Sequence, residues 1–130
     1  MAFKIAVVPF SSSVYLATEA LIACGSQEQK DKWPPLLAAG EAIGTFALSE
    51  GNGRPSVKRL TTRMDEAGLN GRKLPVADGR AADFAIVVGA ADAGDGASWY
   101  LVELDQDGVS REAVRTLDFS RGHAVLEFSN

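Results

Sequence analysis

Cysteine and histidine are scarce in this chain of 130 residues: Cys24 and His123 are the single example of each. One cysteine cannot form an internal disulfide, so a reducing, cytoplasmic setting is expected and Cys24 is read as a small core residue. One histidine and one cysteine also cannot assemble a His/Cys metal site, and nothing supports a carboxylate-only one. Runs of Lys or Arg are missing. With 13 basic against 17 acidic residues the formal charge is −4 and the pI is near 4.9, which argues against nucleic acid as a partner. Long hydrophobic runs are missing too. The apolar start, from Met1 to Phe10, is too short to span a bilayer and is interrupted by Pro9. A single Lys4 stands before its apolar run and an amphipathic helix pattern follows in place of a cleavage site, so no signal peptide and no membrane association are expected. Internal repeats and low-complexity segments are absent, and the 13 glycines are spread over turns.

What is present is the balance of an ordinary globular domain, 46% hydrophobic and 23% charged, long enough to bury a core without staples. Val14, Ala17, Leu21 and Cys24 recur at helical spacing between Ser11 and Cys24, with Gly25 placed to stop the helix. Ser26 followed by Gln29 has the form of a capping box and starts a second helix. Proline disfavours helical backbone in the residue before it, so this helix is expected to break or re-form near Pro34-Pro35 and to end by Gly40. Beyond that point the period becomes that of strands. Seven are expected, at 42–48, 60–64, 73–77, 84–88, 99–104, 109–114 and 124–128, separated by turn signals at Gly68, Asn70-Gly71, Asp78-Gly79, the tip 93–96, Asp107-Gly108 and Gly122. Short strands with frequent turns suggest a barrel or sandwich. The run Phe84-Ala85-Ile86-Val87-Val88 is apolar on both faces, so it should lie centrally with the two helices covering its outer side.

Residue types alone assemble no catalytic arrangement. His123, in a turn before the last strand, is expected to be solvated or structural. Ser11-Ser12-Ser13 and Ser49 lack the surroundings of a nucleophile elbow. Gly51-Asn52-Gly53 begins like a phosphate loop, but no third glycine, no Lys-Ser/Thr pair and no helix follow at the required spacing. The stretch from Leu48 to Val57 is nonetheless a long irregular segment in a compact β region, and such loops on rigid scaffolds are where binding often occurs.

Several motifs in order carry a family resemblance. Gly25-Ser26-Gln27-Glu28-Gln29-Lys30, then Trp33-Pro34-Pro35-Leu36-Leu37-Ala38-Ala39-Gly40-Glu41-Ala42-Ile43-Gly44, then Phe46-Ala47-Leu48-Ser49-Glu50, is similar to the acyl-CoA dehydrogenase passage GTEEQKxxYLPxLxxGExxGxFAxTEP. Leu69-Asn70-Gly71-Arg72-Lys73, Asp78-Gly79, Ala82-Asp83 and Phe84 to Val88 follow its LNGxKxFITNGxxADxxVV, and Trp99-Tyr100-Leu101-Val102-Glu103 with Gly108-Val109 follows xxFLVExxxxGV. The likeness runs from about Pro9 to the C-terminus.

The resemblance implies a mainly β fold, an antiparallel β-barrel of the acyl-CoA dehydrogenase middle-domain type preceded by one or two short α-helices. Residues 1–40 would be the tail of the N-terminal α domain and 41–130 the middle barrel. It further implies FAD, which takes a hydride from the β-carbon of an acyl-CoA while a glutamate removes the α-proton. That base usually comes from a C-terminal helical bundle and no residue here matches it, so no catalytic residue is assigned and the chain is expected to be inactive alone.

Carried over one at a time, Phe46, Leu48 and Ser49 match the stretch whose backbone and Thr hydroxyl hold the flavin's pyrimidine edge, with Ser49 keeping the hydroxyl. The substrate-contacting serine becomes Pro55. The aromatic, aliphatic and Thr of the second flavin motif become Pro75, Val76 and Ala77, so a stacking surface and a hydrogen bond are lost. At on the order of 1 kcal/mol each, three lost contacts would weaken cofactor binding by roughly a hundredfold or more. The segment from Thr116 to Arg121 resembles a TLDxxR variant of a divergent branch in which a degenerate subunit often pairs with a flavin-binding one; read plainly, Asp118 and Arg121 are a turn ion pair. The resemblance thus points to a fragment or degenerate subunit that forms one wall of a flavin/acyl-CoA cleft within a homo- or hetero-oligomer, in fatty acid or steroid catabolism. The alternative is a non-catalytic assembly module that binds a partner dehydrogenase subunit and no cofactor.

Overall fold

The computed structural model describes residues 8–92, 96–118 and 120–129. The first seven residues of the apolar start, most of the expected tip at 93–96 and Phe119 lie outside the described residues.

The first helical segment winds as a π-helix over Ser11–Thr18 and continues as α1 over Glu19–Cys24. Hydrogen bonding from i to i+5 lengthens the period beyond that of an α-helix. The stripe that meets the sheet is therefore Ser12, Ser13, Ala17, Ala20 and Leu21. Val14 falls off it, and Cys24, the last residue of α1, lies beyond its end. Both are exposed, which corrects the expected stripe at its two ends and the expected core position of Cys24.

Helix α2 (Gln27–Ala39) starts as expected. The Ser26 hydroxyl accepts from the Gln29 N–H at 3.2 Å, and the Gln29 side chain accepts from the Ser26 N–H at 3.0 Å. It ends on Gly40 in the left-handed conformation, whose N–H reaches the carbonyls of Leu36 and Leu37. The expected break at Pro34-Pro35 does not occur, and the helix runs through both prolines. Each proline forfeits one N–H and crowds the carbonyl four residues back. Against that cost, the adjacent Trp33 is buried with its ring 4.3 Å from that of Phe84, and Leu36 and Leu37 pack on the same cluster. Tertiary packing holds the segment helical.

All seven expected strands form: β1 (Gly44–Ala47), β2 (Arg63–Asp65), β3 (Gly68–Ala77), β4 (Phe84–Ala90), β5 (Ala97–Glu103), β6 (Val109–Val114) and β7 (His123–Phe128). Two strands start three or more residues from where they were expected, and the other ends move by two residues or fewer. β3 begins five residues earlier than expected, so Asn70-Gly71 lies inside a strand and the turn falls between Asp65 and Gly68. β2 is displaced because Thr61 and Thr62 give their N–H groups to Glu50, and the Thr62 carbonyl accepts from Ala90 at 2.8 Å.

The strands make a three-stranded sheet, β1-β4-β5, and a four-stranded sheet, β2-β3-β7-β6. The expected closed antiparallel barrel is corrected on two counts. β1 pairs with β4 in parallel, Gly44 opposite Phe84 through Ala47 opposite Val87, and among the described residues the sheets are not joined into a continuous ring. β1 is only four residues long and faces β3 without a ladder. The seam is carried by individual bonds instead: the Thr45 hydroxyl donates to the Ala77 carbonyl at 2.6 Å, and Glu50 forms an isolated bridge with Leu74.

β4 is buried along almost its whole length, as its two apolar faces require. Ala85 and Val87 point into the core between the sheets, with Ala47, Val76, Leu104, Leu126 and Phe128. Phe84 and Ile86 point the other way, onto Ala17, Leu21 and Trp33 of the helical layer.

Candidate functional site

The six residues marked by the sequence separate into two groups. Leu48, Ser49 and Pro55 line one open cavity of about 210 Å³, together with Glu50 to Arg54, Ser56, Arg59 and Leu60. Phe46, Val76 and Ala77 do not. The Phe46 side chain packs with the helical layer and meets Trp99 edge-on at 5.4 Å, while Val76 is fully buried between the sheets. Ala77 pairs with His123 in the β3–β7 ladder, and its carbonyl is taken by Thr45. Pro75 is exposed where that ladder shifts register between Lys73 and Val76, a place where a missing N–H costs no ladder bond.

The two stretches nonetheless meet through backbone. The Leu74 N–H donates to the Ser49 carbonyl at 2.8 Å, and the Gly51 N–H donates to the Leu74 carbonyl at 2.9 Å. This parallel bridge sets the cavity-lining segment beside the second motif.

Beneath the bridge lies a buried ion pair that residue types alone did not mark. Lys73 is fully buried. Its ammonium donates to Glu50 Oε1 at 2.8 Å, to the Leu48 carbonyl at 3.1 Å and to the Val88 carbonyl. Those three acceptors use all three of its N–H groups. The Val88 carbonyl lies one residue past the last β1–β4 pair, so Lys73 stands in for the strand that has ended. Glu50 accepts from the Lys73 ammonium, from the Thr61 N–H and hydroxyl at 2.7 Å each, and from the Thr62 N–H at 2.9 Å. Burial raises the Glu50 pKa, but the ammonium and the threonine donors outweigh it and hold the carboxyl at about 2. Burial lowers the Lys73 pKa from the ordinary lysine value, and the Glu50 charge opposes that. Glu50 and Lys73 occupy the Glu of TEP and the Lys of LNGxK, so the motifs carried the signal, though spacing gave no hint that the two would pair.

Arg121 pairs with Asp78, at 3.4 Å, and also donates to the Ser12 hydroxyl at 2.9 Å, which itself donates to Asp78 at 2.7 Å. The simple turn pair of Arg121 with Asp118 is thereby corrected. Asp118 instead accepts from the Ser120 hydroxyl and N–H, and these bonds lower its pKa from the ordinary carboxylate value. His123 is the first residue of β7 and not part of a turn; it is half-buried, and its Nδ1 makes no hydrogen bond among the described residues.

One edge of this arrangement fits a flavin and one face does not. The Leu48 carbonyl is drawn inward by Lys73, and the planar trans peptide therefore turns the following N–H, that of Ser49, the opposite way. A donor and a hydroxyl at Ser49 suit the polar edge of a pyrimidine ring. A ring face has less to meet, since Val76 is committed to the core and Ala77 carries no hydroxyl. Among the described residues no group of three or more His, Cys, Asp or Glu is placed to hold a metal ion, and no helix is long and apolar enough to cross a membrane.

No protein-family model matches the chain. An acyl-CoA dehydrogenase of Bacillus subtilis (strain 168) is 36% identical over 100 residues, covering 72% of this chain and 26% of that protein. The mitochondrial isovaleryl-CoA dehydrogenase of Pongo abelii is 33% identical over 104 residues, covering 73% and 25% respectively. Among solved structures, a glutaryl-CoA dehydrogenase from Mycobacterium smegmatis in complex with FADH2 superposes with a TM-score of 0.82 at 32% identity, over 92% of this chain and 32% of that one. The ChsE4-ChsE5 complex from Mycobacterium tuberculosis matches with a TM-score of 0.78 at 30% identity, over 95% and 33%. The chain spans between 18% and 28% of the length of the curated relatives it matches.

Proposed function

We propose, for a chain that belongs to the acyl-CoA dehydrogenase family, that residues 41–130 form one wall of a flavin and acyl-CoA cleft and residues 1–40 the end of the adjoining helical region. The wall holds the cofactor by its edge, through the Ser49 N–H and hydroxyl and the backbone at Leu48, and offers little to the ring face. The observation that carries this reading is the anchoring of the 48–51 segment on Leu74 beside the open cavity. FAD, when bound, would accept the hydride in the α,β-desaturation of an acyl-CoA thioester. The chain's own part is to orient the flavin edge, and Pro55 would line the substrate side. No catalytic residue is assigned within these 130 residues, so this polypeptide is proposed not to turn over acyl-CoA by itself.

Titration of the purified chain with FAD, read by flavin fluorescence and the visible band, tests the reading. Weak, saturable binding that falls on Ser49→Ala and tightens several-fold on Ala77→Thr is the expected result. A tight stoichiometric yellow complex would contradict the weakened face. Failure to saturate at any concentration would remove the cofactor reading altogether.

A second reading, an assembly module that binds a partner dehydrogenase subunit and no cofactor, draws on exposed apolar side chains of the helical layer: Phe10, Val14, Tyr15, Leu16 and Ile22. Such a surface favours association. Gel filtration with a flavin-binding subunit separates the two: co-elution without flavin uptake supports the module, and a chain that stays monomeric beside every candidate subunit opposes it.

A further inference from the structure

The Glu50–Lys73 pair is an odd device if stability is all it serves. Two charges are taken out of water where an apolar pair of similar volume would hold the seam as well or better. What an apolar pair could not do is set directions. Every donor of the Lys73 ammonium is aimed at a separate acceptor, and two of these, the Leu48 and Val88 carbonyls, belong to different strands or their extensions. The Leu48 carbonyl can satisfy Lys73 only by pointing inward, and the trans peptide then presents the Ser49 N–H outward. The carboxylate acts on the same loop from its far side. By accepting from Thr61 and Thr62 as well as from Lys73, Glu50 closes both ends of the excursion 51–60 that lines the cavity.

We propose that Glu50 and Lys73 are positioning residues for the cofactor-edge loop, a buried clasp that fixes the orientation of the Leu48–Ser49 peptide and closes the neck of residues 51–60. The proposal rests on the flavin-wall reading for its purpose, but the clasp itself is a property of the chain. It also accounts for a wall that has lost ring-facing side chains and retains a shaped edge: the loop geometry comes from beneath, not from the groups that touch the ring.

Amide hydrogen exchange by mass spectrometry and flavin titration on the 130-residue chain test it together. Glu50→Gln is expected to speed exchange of amides in 48–60 by tenfold or more beyond the acceleration seen in β6 and β7, which follows the loss of global stability, and to weaken FAD binding by a similar factor. The double variant Glu50→Gln/Lys73→Met removes the charge that the single change leaves buried, and it serves the same two readouts if the single variant does not fold. A stable double variant with loop exchange like that of the wild type overturns the clasp. Faster loop exchange with unchanged FAD affinity overturns its positioning role. If the wild-type chain takes up no flavin, the flavin-wall reading fails by itself and the exchange data alone decide whether the pair holds the loop.

Discussion

At Gly71 a side chain has no room. A Cβ there would lie 2.4 Å from the Thr62 hydroxyl oxygen and 2.6 Å from the Thr62 Cα, on a backbone with φ of +147°. Gly71→Ala is expected to cost at least about 2 kcal/mol, read as a drop in the urea midpoint. The Asn-Gly pair looked like a turn because that dipeptide favours positive φ; here the same freedom lets a strand pass close to Thr62. The buried ion pair makes a sharper demand. Lys73 is fully buried and Glu50 keeps 13% of its side chain exposed, so the charge stranded by Glu50→Gln is the more deeply buried one. Breaking such a pair costs about 3–5 kcal/mol, and Glu50→Gln is expected near the upper end with Lys73→Met below it. Denaturant titration of both, with the double variant recovering part of the loss, checks the order. The exposed pairs Lys32–Glu103 at 2.7 Å and Arg72–Glu127 at 3.0 Å contribute little by comparison.

Helix α2 shows propensity and packing acting in opposite directions within one element. Its start was legible because a capping box is local: Ser26 and Gln29 satisfy each other's N–H across three residues. Ser26→Ala is expected to cost about 1 kcal/mol. Its passage through Pro34-Pro35 was not legible, since what offsets the two lost N–H groups is Trp33 lying on Phe84, fifty-one positions further along. Trp33→Ala is accordingly expected to cost about 3–5 kcal/mol and to remove helical signal in far-ultraviolet circular dichroism, more than the loss of the cap. The first helix was misjudged at its ends for a related reason. A π-helical period over Ser11–Thr18 turns Val14 toward solvent while Ala17 stays against the sheet, and Cys24 is exposed as the last residue of the α-helical part.

For the molecule as a whole, the seam between the two sheets depends on titratable groups, and its stability should therefore depend on pH. The Glu50 carboxyl is held at about 2 in the fold against an ordinary value of 4.5. A folded-state value below the unfolded one means a contribution fully present above pH 4.5 and lost as pH falls from there toward 2. Urea midpoints measured across that window are expected to fall for the wild type, with the slope reduced in Glu50→Gln. Loss of the Glu50 link opens the junction of β1, β3 and β4 first, because the seam there is made of single bonds and not of a ladder.

Local pattern was enough to establish the seven strands, the cap of α2, the central place of β4 and the order of motifs that ties the chain to its family. Each of these depends on residues a few positions apart, where period, turn chemistry and capping act without help from the rest of the chain. The parallel pairing of β1 with β4, the open seam where a closed barrel was expected, the burial of Val76 and the meeting of Glu50 with Lys73 were decided by tertiary structure. All four join segments roughly twenty or more residues apart, and which of them meet depends on how far β1 extends before Lys73 must supply the partner that Val88 lacks.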